Sequence, residues 1–130
     1  LPELPAGWLY EGWVEIGGQP FTTGRFYDVF GHDFDSPYNG PLPVPAIPGE
    51  DYIRNAPEGQ TFPTDIRGGR IFVSVEPYPD DDPSPFPIIP LRGTIPSQGG
   101  YRITYNLENS YRELPRGVVR VEIGTVVSSP

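Results

Sequence analysis

The 130-residue chain carries a net charge of −8, with 36% apolar and 13% aromatic residues, which fits one domain with enough apolar material to fold. All nine basic residues are Arg, and an acidic chain without a basic patch argues against nucleic acid and anionic membrane surfaces as partners. There is no Cys and no Met, which excludes disulfides and thiolate metal sites, and no apolar run reaches the length of a membrane span, so membrane insertion is not expected.

Nineteen prolines and sixteen glycines punctuate apolar runs instead of forming repeats, the pattern of a loop-rich all-β domain. Leu1 in place of Met reads as a processed start, with signal-peptide removal as the expected route. An extracellular or cell-surface location is the expectation.

Trp8 to Ile16 is the first strand by period: Trp8, Tyr10, Val14 and Ile16 share one face, and Leu9, Glu11, Trp13 and Glu15 the other. Gly17-Gly18 supplies a tight turn, from which Gln19 to Thr23 returns as a hairpin partner. A further short strand is expected within Gly24 to Phe30. Residues 31–69 carry seven prolines and no sustained period. They read as a long proline-rich insertion packed over the sheet through Phe34, Tyr38, Ile47, Tyr52, Ile53 and Phe62, with disorder as the alternative.

Arg70 to Glu76 alternates again, with Ile71, Val73 and Val75 on one face. The Pro-Asp run at 77–85 is a turn. Phe86 to Ile95 is a proline-interrupted strand, hence an edge. Tyr101, Ile103, Tyr105 and Leu107 alternate with Arg102, Thr104 and Asn106. Val118 to Val127 is the most β-prone run, Val119, Val121 and Ile123 being opposed by Val118, Arg120 and Glu122. No segment has a sustained helical period. The expectation is a single all-β domain over 1–130, an immunoglobulin-like β-sandwich.

The opening "LPELPAGWLYEGWV", with its Gly-x-Pro hairpin, and the later "VSVEPYPDDDPSP" resemble the extracytoplasmic β-sandwich domain of anti-sigma-K-type factors and related secreted proteins. The matching positions are Leu1, Pro2, Leu4 to Gly7, Tyr10, Trp13, Gly18, Pro20, Gly24, Phe26, Val73, Val75, Glu76, Pro77 and Pro85. The resemblance implies a fold and no activity. This chain lacks the sigma-binding segment and membrane helix of such factors, and also the strand that precedes their Leu-Pro entry, so the resemblance implies a sheet short of one strand.

A strand-deficient sheet is a site for β-augmentation. The donor residues would be Val118, Val119, Val121, Ile123 and Val126. The acceptor groove would be lined by Trp8, Tyr10, Val14 and Ile16. Head-to-tail donation makes a filament unless it closes a ring. The competing reading pairs the last strand within its own chain. Glu-Leu-Pro-x-Gly followed by Val-Glu-Ile-Gly occurs at 3–17 and again at 113–124, with six residues between the halves in the first copy and three in the second.

Chemistry is sparse. His32 is the lone histidine, next to Asp33 but with no nucleophile elbow, and with no Cys beside it zinc is not expected. Calcium has two candidate ligand sets, Asp33, Asp35 and Asn39, or Asp80 to Asp82, neither with the spacing of a known calcium loop. Glu11 and Glu15 would stand ~13 Å apart along a strand, too far for either glycosidase mechanism. Trp13, Tyr27 and Tyr38 offer aromatic faces for a sugar, against their ordinary use as core. No enzyme and no cofactor is expected. Two functions follow: a self-associating extracellular structural subunit, or a monomeric sensing module that binds ligand through the 31–69 loop.

Overall fold

Trp8–Ile16 forms β1, and Gln19–Phe26 forms β2. Arg70–Pro77 is β3, Leu91–Thr94 is β4 and Glu108–Asn109 is β5. The computed structural model describes residues 1–35, 37–41, 47–100 and 103–124. Its five strands make one antiparallel sheet in the order β2-β1-β3-β4-β5. Among the described residues the single helical element is a 3-10 turn, Tyr111–Glu113.

The β1–β2 hairpin closes through Gly17 and Gly18, both at positive φ (60° and 80°), the backbone that a twist-matched two-residue turn demands. The strand expected within 24–30 is the continuation of β2. A bulge makes the continuation possible: Gly12 pairs with Gly24 and Trp13 with Thr22, leaving Thr23 unopposed. Gly24 sits at φ 111°, and an added Cβ would lie 2.1 Å from Asp33 Oδ2 and 2.7 Å from Asp33 Cβ. Gly24→Ala therefore meets both strain and a clash, with an expected cost on the order of 1–3 kcal/mol. A urea midpoint equal to that of the wild type would show that the bulge is not constrained in this way.

One face of the sheet carries two apolar clusters. Val14, Ile16, Phe21 and Tyr52 form the first, with Tyr38, Phe62, Ile66 and Ile95 packed against it. Tyr10, Phe26 and Val73 form the second, joined by Leu4, Val75, Leu91 and Leu107. Most of the cover is irregular chain. Tyr52, held at φ 53°, stacks on Tyr38 at 5.7 Å and meets Phe62 edge-on at 5.5 Å. Its hydroxyl donates to Thr22 O at 2.8 Å. Of the loop anchors expected from the sequence, Tyr38, Tyr52 and Phe62 pack inward, whereas Phe34, Ile47 and Ile53 are exposed.

Side-chain oxygens that accept from backbone N–H groups organise this loop. Asp33 Oδ2 accepts from Gly49 N, Glu50 Oε2 from Tyr38 N and Asp51 Oδ1 from Gly40 N. Asn39 Oδ1 accepts from Asp51 N at 2.6 Å. The acidic residues thus replace the ladder partners that an irregular backbone lacks.

Three expectations change. Only Leu91–Thr94 of the 86–95 run is a strand, and it is not the edge, because β5 pairs with its outer side; Pro87 and Pro90 cannot donate to a ladder. Residues 103–107 alternate as a strand should but form no ladder, and Tyr101 and Arg102 lie outside the described residues. Residues 118–124 form no ladder either. Without those two strands the described residues make one open sheet and no second layer. Backbone pairing needs a partner as well as propensity, and here the partner is missing.

Candidate functional site

Residues 118–124 are the most unusual feature of the described residues. Val118, Val119, Val121 and Ile123 are 85–100% exposed, at a cost that folded chains ordinarily avoid by burial or association. Arg120 and Glu122 form an ion pair at 2.7 Å, and in an extended backbone residues two apart lie on one side. Val119, Val121 and Ile123 take the opposite side by the same period. Paired with a sheet, the segment would make an amphipathic strand.

The sheet has two edges, and they differ. Along β2, Pro20 has no N–H to offer, Thr22 O is taken by the Tyr52 hydroxyl and Arg25 O accepts from Phe34 N at 2.9 Å. That edge is closed. On the other side β5 is only two residues long, and Ile103, Thr104, Tyr105 and Asn106 beside it are exposed.

The expected acceptor residues stand elsewhere. Tyr10, Val14 and Ile16 are buried and Trp8 is half-buried, edge-on to Phe86 at 6.0 Å. β1 is paired on both sides, with β2 and with β3, so its backbone has no free edge. The groove expected there is filled by the chain's own Phe21, Tyr38, Tyr52 and Leu4. Of the donor set, Val118, Val119, Val121 and Ile123 are placed as described, and Val126 lies outside the described residues.

The second face of the sheet holds a buried polar array that the sequence does not announce. Trp13 stacks on Phe72 at 6.3 Å, and its Nε1 donates to Ser74 Oγ at 2.8 Å. Ser74 donates onward to Glu76 Oε1, which also accepts from Phe86 N at 2.8 Å. Glu11, Glu76 and Asp80 bring carboxylate oxygens within 4.8 Å of one another. Glu11 and Asp80 border a cleft of about 600 Å³ that Thr22, Arg25 and Asp35 also line, while Glu76 lies buried behind them. β-register explains the convergence: Glu11 pairs with Ser74 and Leu9 with Glu76, so the carboxylates lie on adjacent strands of one face.

Burial pushes the Glu11 carboxyl up to about 7, and the neighbouring Glu76 charge adds to this while a Thr22 hydrogen bond opposes it. Glu76 is also raised, first by burial. In the loop, burial raises Glu50 to about 7 as well, and its Oε1 is buried without a partner. These groups keep protons in the folded chain that the unfolded chain releases near 4.5. Their share of stability is complete below that value, is lost as pH rises through about 7, and changes no further above it. Unfolding free energy is expected to fall by on the order of 1 kcal/mol per group across this window, the shift being discounted for solvent that screens these partly exposed carboxyls. Glu11→Gln should remove one share and raise stability above neutral pH. A pH profile that Glu11→Gln leaves unchanged would contradict this reading.

Glu76 Oε1 already accepts two hydrogen bonds, and three carboxylates by themselves reach only the lower end of the roughly six to eight oxygens that calcium takes. Proton sharing is the chemistry this cluster can do. The sequence-derived calcium sets do not converge: Asp33 binds Gly49 N, Asp35 pairs with Arg25 at 3.0 Å and Asn39 binds Asp51 N. Asp82 caps its own turn through Ser84 N, and only Asp80 joins the cluster. The aromatic trio is likewise dispersed, since Trp13 and Tyr38 are stacked within the fold and Tyr27 meets Phe34 edge-on at 4.9 Å. His32 is exposed.

Among the described residues no helix is long and apolar enough to cross a membrane. Comparison with protein-family models, curated proteins and solved structures finds no match.

Proposed function

We propose that the chain is a non-enzymatic structural subunit that associates with copies of itself by donating its C-terminal strand. The observation that carries this reading is the segment 118–124, in which the almost fully exposed Val119, Val121 and Ile123 alternate with Arg120 and Glu122. Each Val or Ile it buries contributes ~1.5–3 kcal/mol before ordering costs, so a few such side chains bring association into a useful range. Donation between copies is head-to-tail and propagates unless it closes a ring. An added strand would also extend the open sheet toward the immunoglobulin-like sandwich expected from the strand count, with the proline-rich 31–69 insertion as cover on one face. The resemblance to anti-sigma-K-type outer domains and the acidic, Cys-free composition support an extracellular setting.

Electron microscopy and light scattering of the purified chain test the proposal. Fibres or closed rings, with a mass that grows with concentration, are the expected result. A chain that stays monomeric at high concentration would refute it.

A further inference from the structure

We infer that the acceptor is the β5 edge of a second copy, residues 103–109, together with the apolar hollow beside it; this rests on strand donation as proposed above. Elimination leads there first. The β2 edge is closed by Pro20, the Tyr52 hydroxyl and Phe34 N, and β1 and β3 lie inside the sheet. The outer side of residues 103–107 takes part in no ladder.

Side-chain pattern supplies the second reason. Leu107 packs on the Tyr10 cluster, and with Ile103 and Tyr105 it borders a hollow of about 430 Å³ that Ile66, Ile71 and Ile95 also line. The opposite side of the same edge carries Glu108, paired in register with Arg92, while Asn106 borders both sides. A donor with Val119, Val121 and Ile123 on one side and Arg120 and Glu122 on the other matches both sides at once. Its valines and isoleucine enter the hollow, while Arg120 and Glu122 lie over Glu108 and Arg92 with opposite charges available to each. Arg92 already reaches Glu113 at 2.7 Å, so the polar side is a charged strip rather than a single pair.

The absence of Cys makes crosslinking clean. A chain bearing Val121→Cys is mixed with chains bearing Ile103→Cys, Tyr105→Cys or Leu107→Cys in turn, and oxidised mildly. Same-face neighbours on paired strands are near disulfide distance. A chain bearing Thr22→Cys samples the β2 edge, and each partner is exposed or at a sheet edge, so at least one tolerates the change.

A mixed disulfide between position 121 and one or more of 103, 105 and 107, with none to 22, is the expected result. Capture at 22 instead, or at none of these while the unsubstituted chain still assembles, overturns the β5 acceptor and leaves donation standing. A monomeric disulfide in a single chain carrying both Val121→Cys and Tyr105→Cys, with no mixed dimer, overturns it in favour of closure within one chain. An unsubstituted chain that never assembles overturns both.

Discussion

Val121→Asp is expected to abolish assembly while leaving the fold intact. Val121 lies in the middle of the 118–124 segment and residues 115–124 are all exposed, so no packing among the described residues is lost. Changes at such positions ordinarily stay within about 0.5 kcal/mol of the original stability. In the assembled state the same carboxylate would sit among Ile and Val side chains without a partner, a burial that costs several kcal/mol. Each subunit contact should weaken on the order of 100-fold or more. Light scattering would read the lost assembly, and a urea titration the retained stability. Arg120→Ala should do much less, because its ion pair with Glu122 is exposed and such pairs contribute roughly 0–1 kcal/mol. Loss of folding in Val121→Asp would instead mean that residues 118–124 belong to their own subunit's core.

Tyr52→Ala is expected to be the most damaging single change to the fold. Tyr52 is buried, stacks on Tyr38, meets Phe62 and donates to Thr22 O. It is the nail that fixes the irregular 31–69 chain to the sheet. Truncating a buried aromatic costs about 3–5 kcal/mol, a large share of the roughly 5–15 kcal/mol that holds a domain together. Tyr52→Phe separates the contributions: it keeps the ring and loses one hydrogen bond, for an expected cost of about 0.5–1.5 kcal/mol. Urea unfolding of the two variants should therefore differ severalfold in free-energy loss. Equal losses would place the stabilisation in the hydroxyl alone.

How much of this was legible in the sequence depended on where the partner of each segment lay. β1, its Gly-Gly turn, β2 and β3 follow from period and turn chemistry, because their ladder partners are supplied within the described chain. The 103–107 and 118–124 runs have the same alternation and a higher β propensity, yet form no ladder. Pattern states what a strand would bury and is silent on whether a neighbour exists.

The buried carboxylates were illegible for a different reason. Glu11 and Glu76 look like solvent-facing positions of amphipathic strands, and only the register that sets Glu11 beside Ser74, with the 77–90 chain folded over them, places them inside. A Glu-Pro-x-Pro-Asp run after a strand was the available clue, since Asp80 returns to the cluster from that turn. The anchors divided similarly. Tyr38, Tyr52 and Phe62 were recognisable as aromatics in a loop too long to be idle, but nothing in their spacing distinguished them from Phe34 and Ile53, which stay exposed.

The tetrapeptide Val-Glu-Ile-Gly puts the contrast in its simplest form. At 14–17 its Val and Ile are core, and at 121–124 they are bare. Identical side chains have the same drive toward burial, so the second copy lacks only a place to go.

Amide hydrogen exchange of residues 118–124, followed in the intact chain as concentration is raised, tests that claim most directly. Protection that is absent in dilute solution and grows with concentration, together with protection of residues 103–109, is the expected result. Exchange at the free-peptide rate at every concentration, or protection already complete in the dilute monomer, would contradict strand donation between copies.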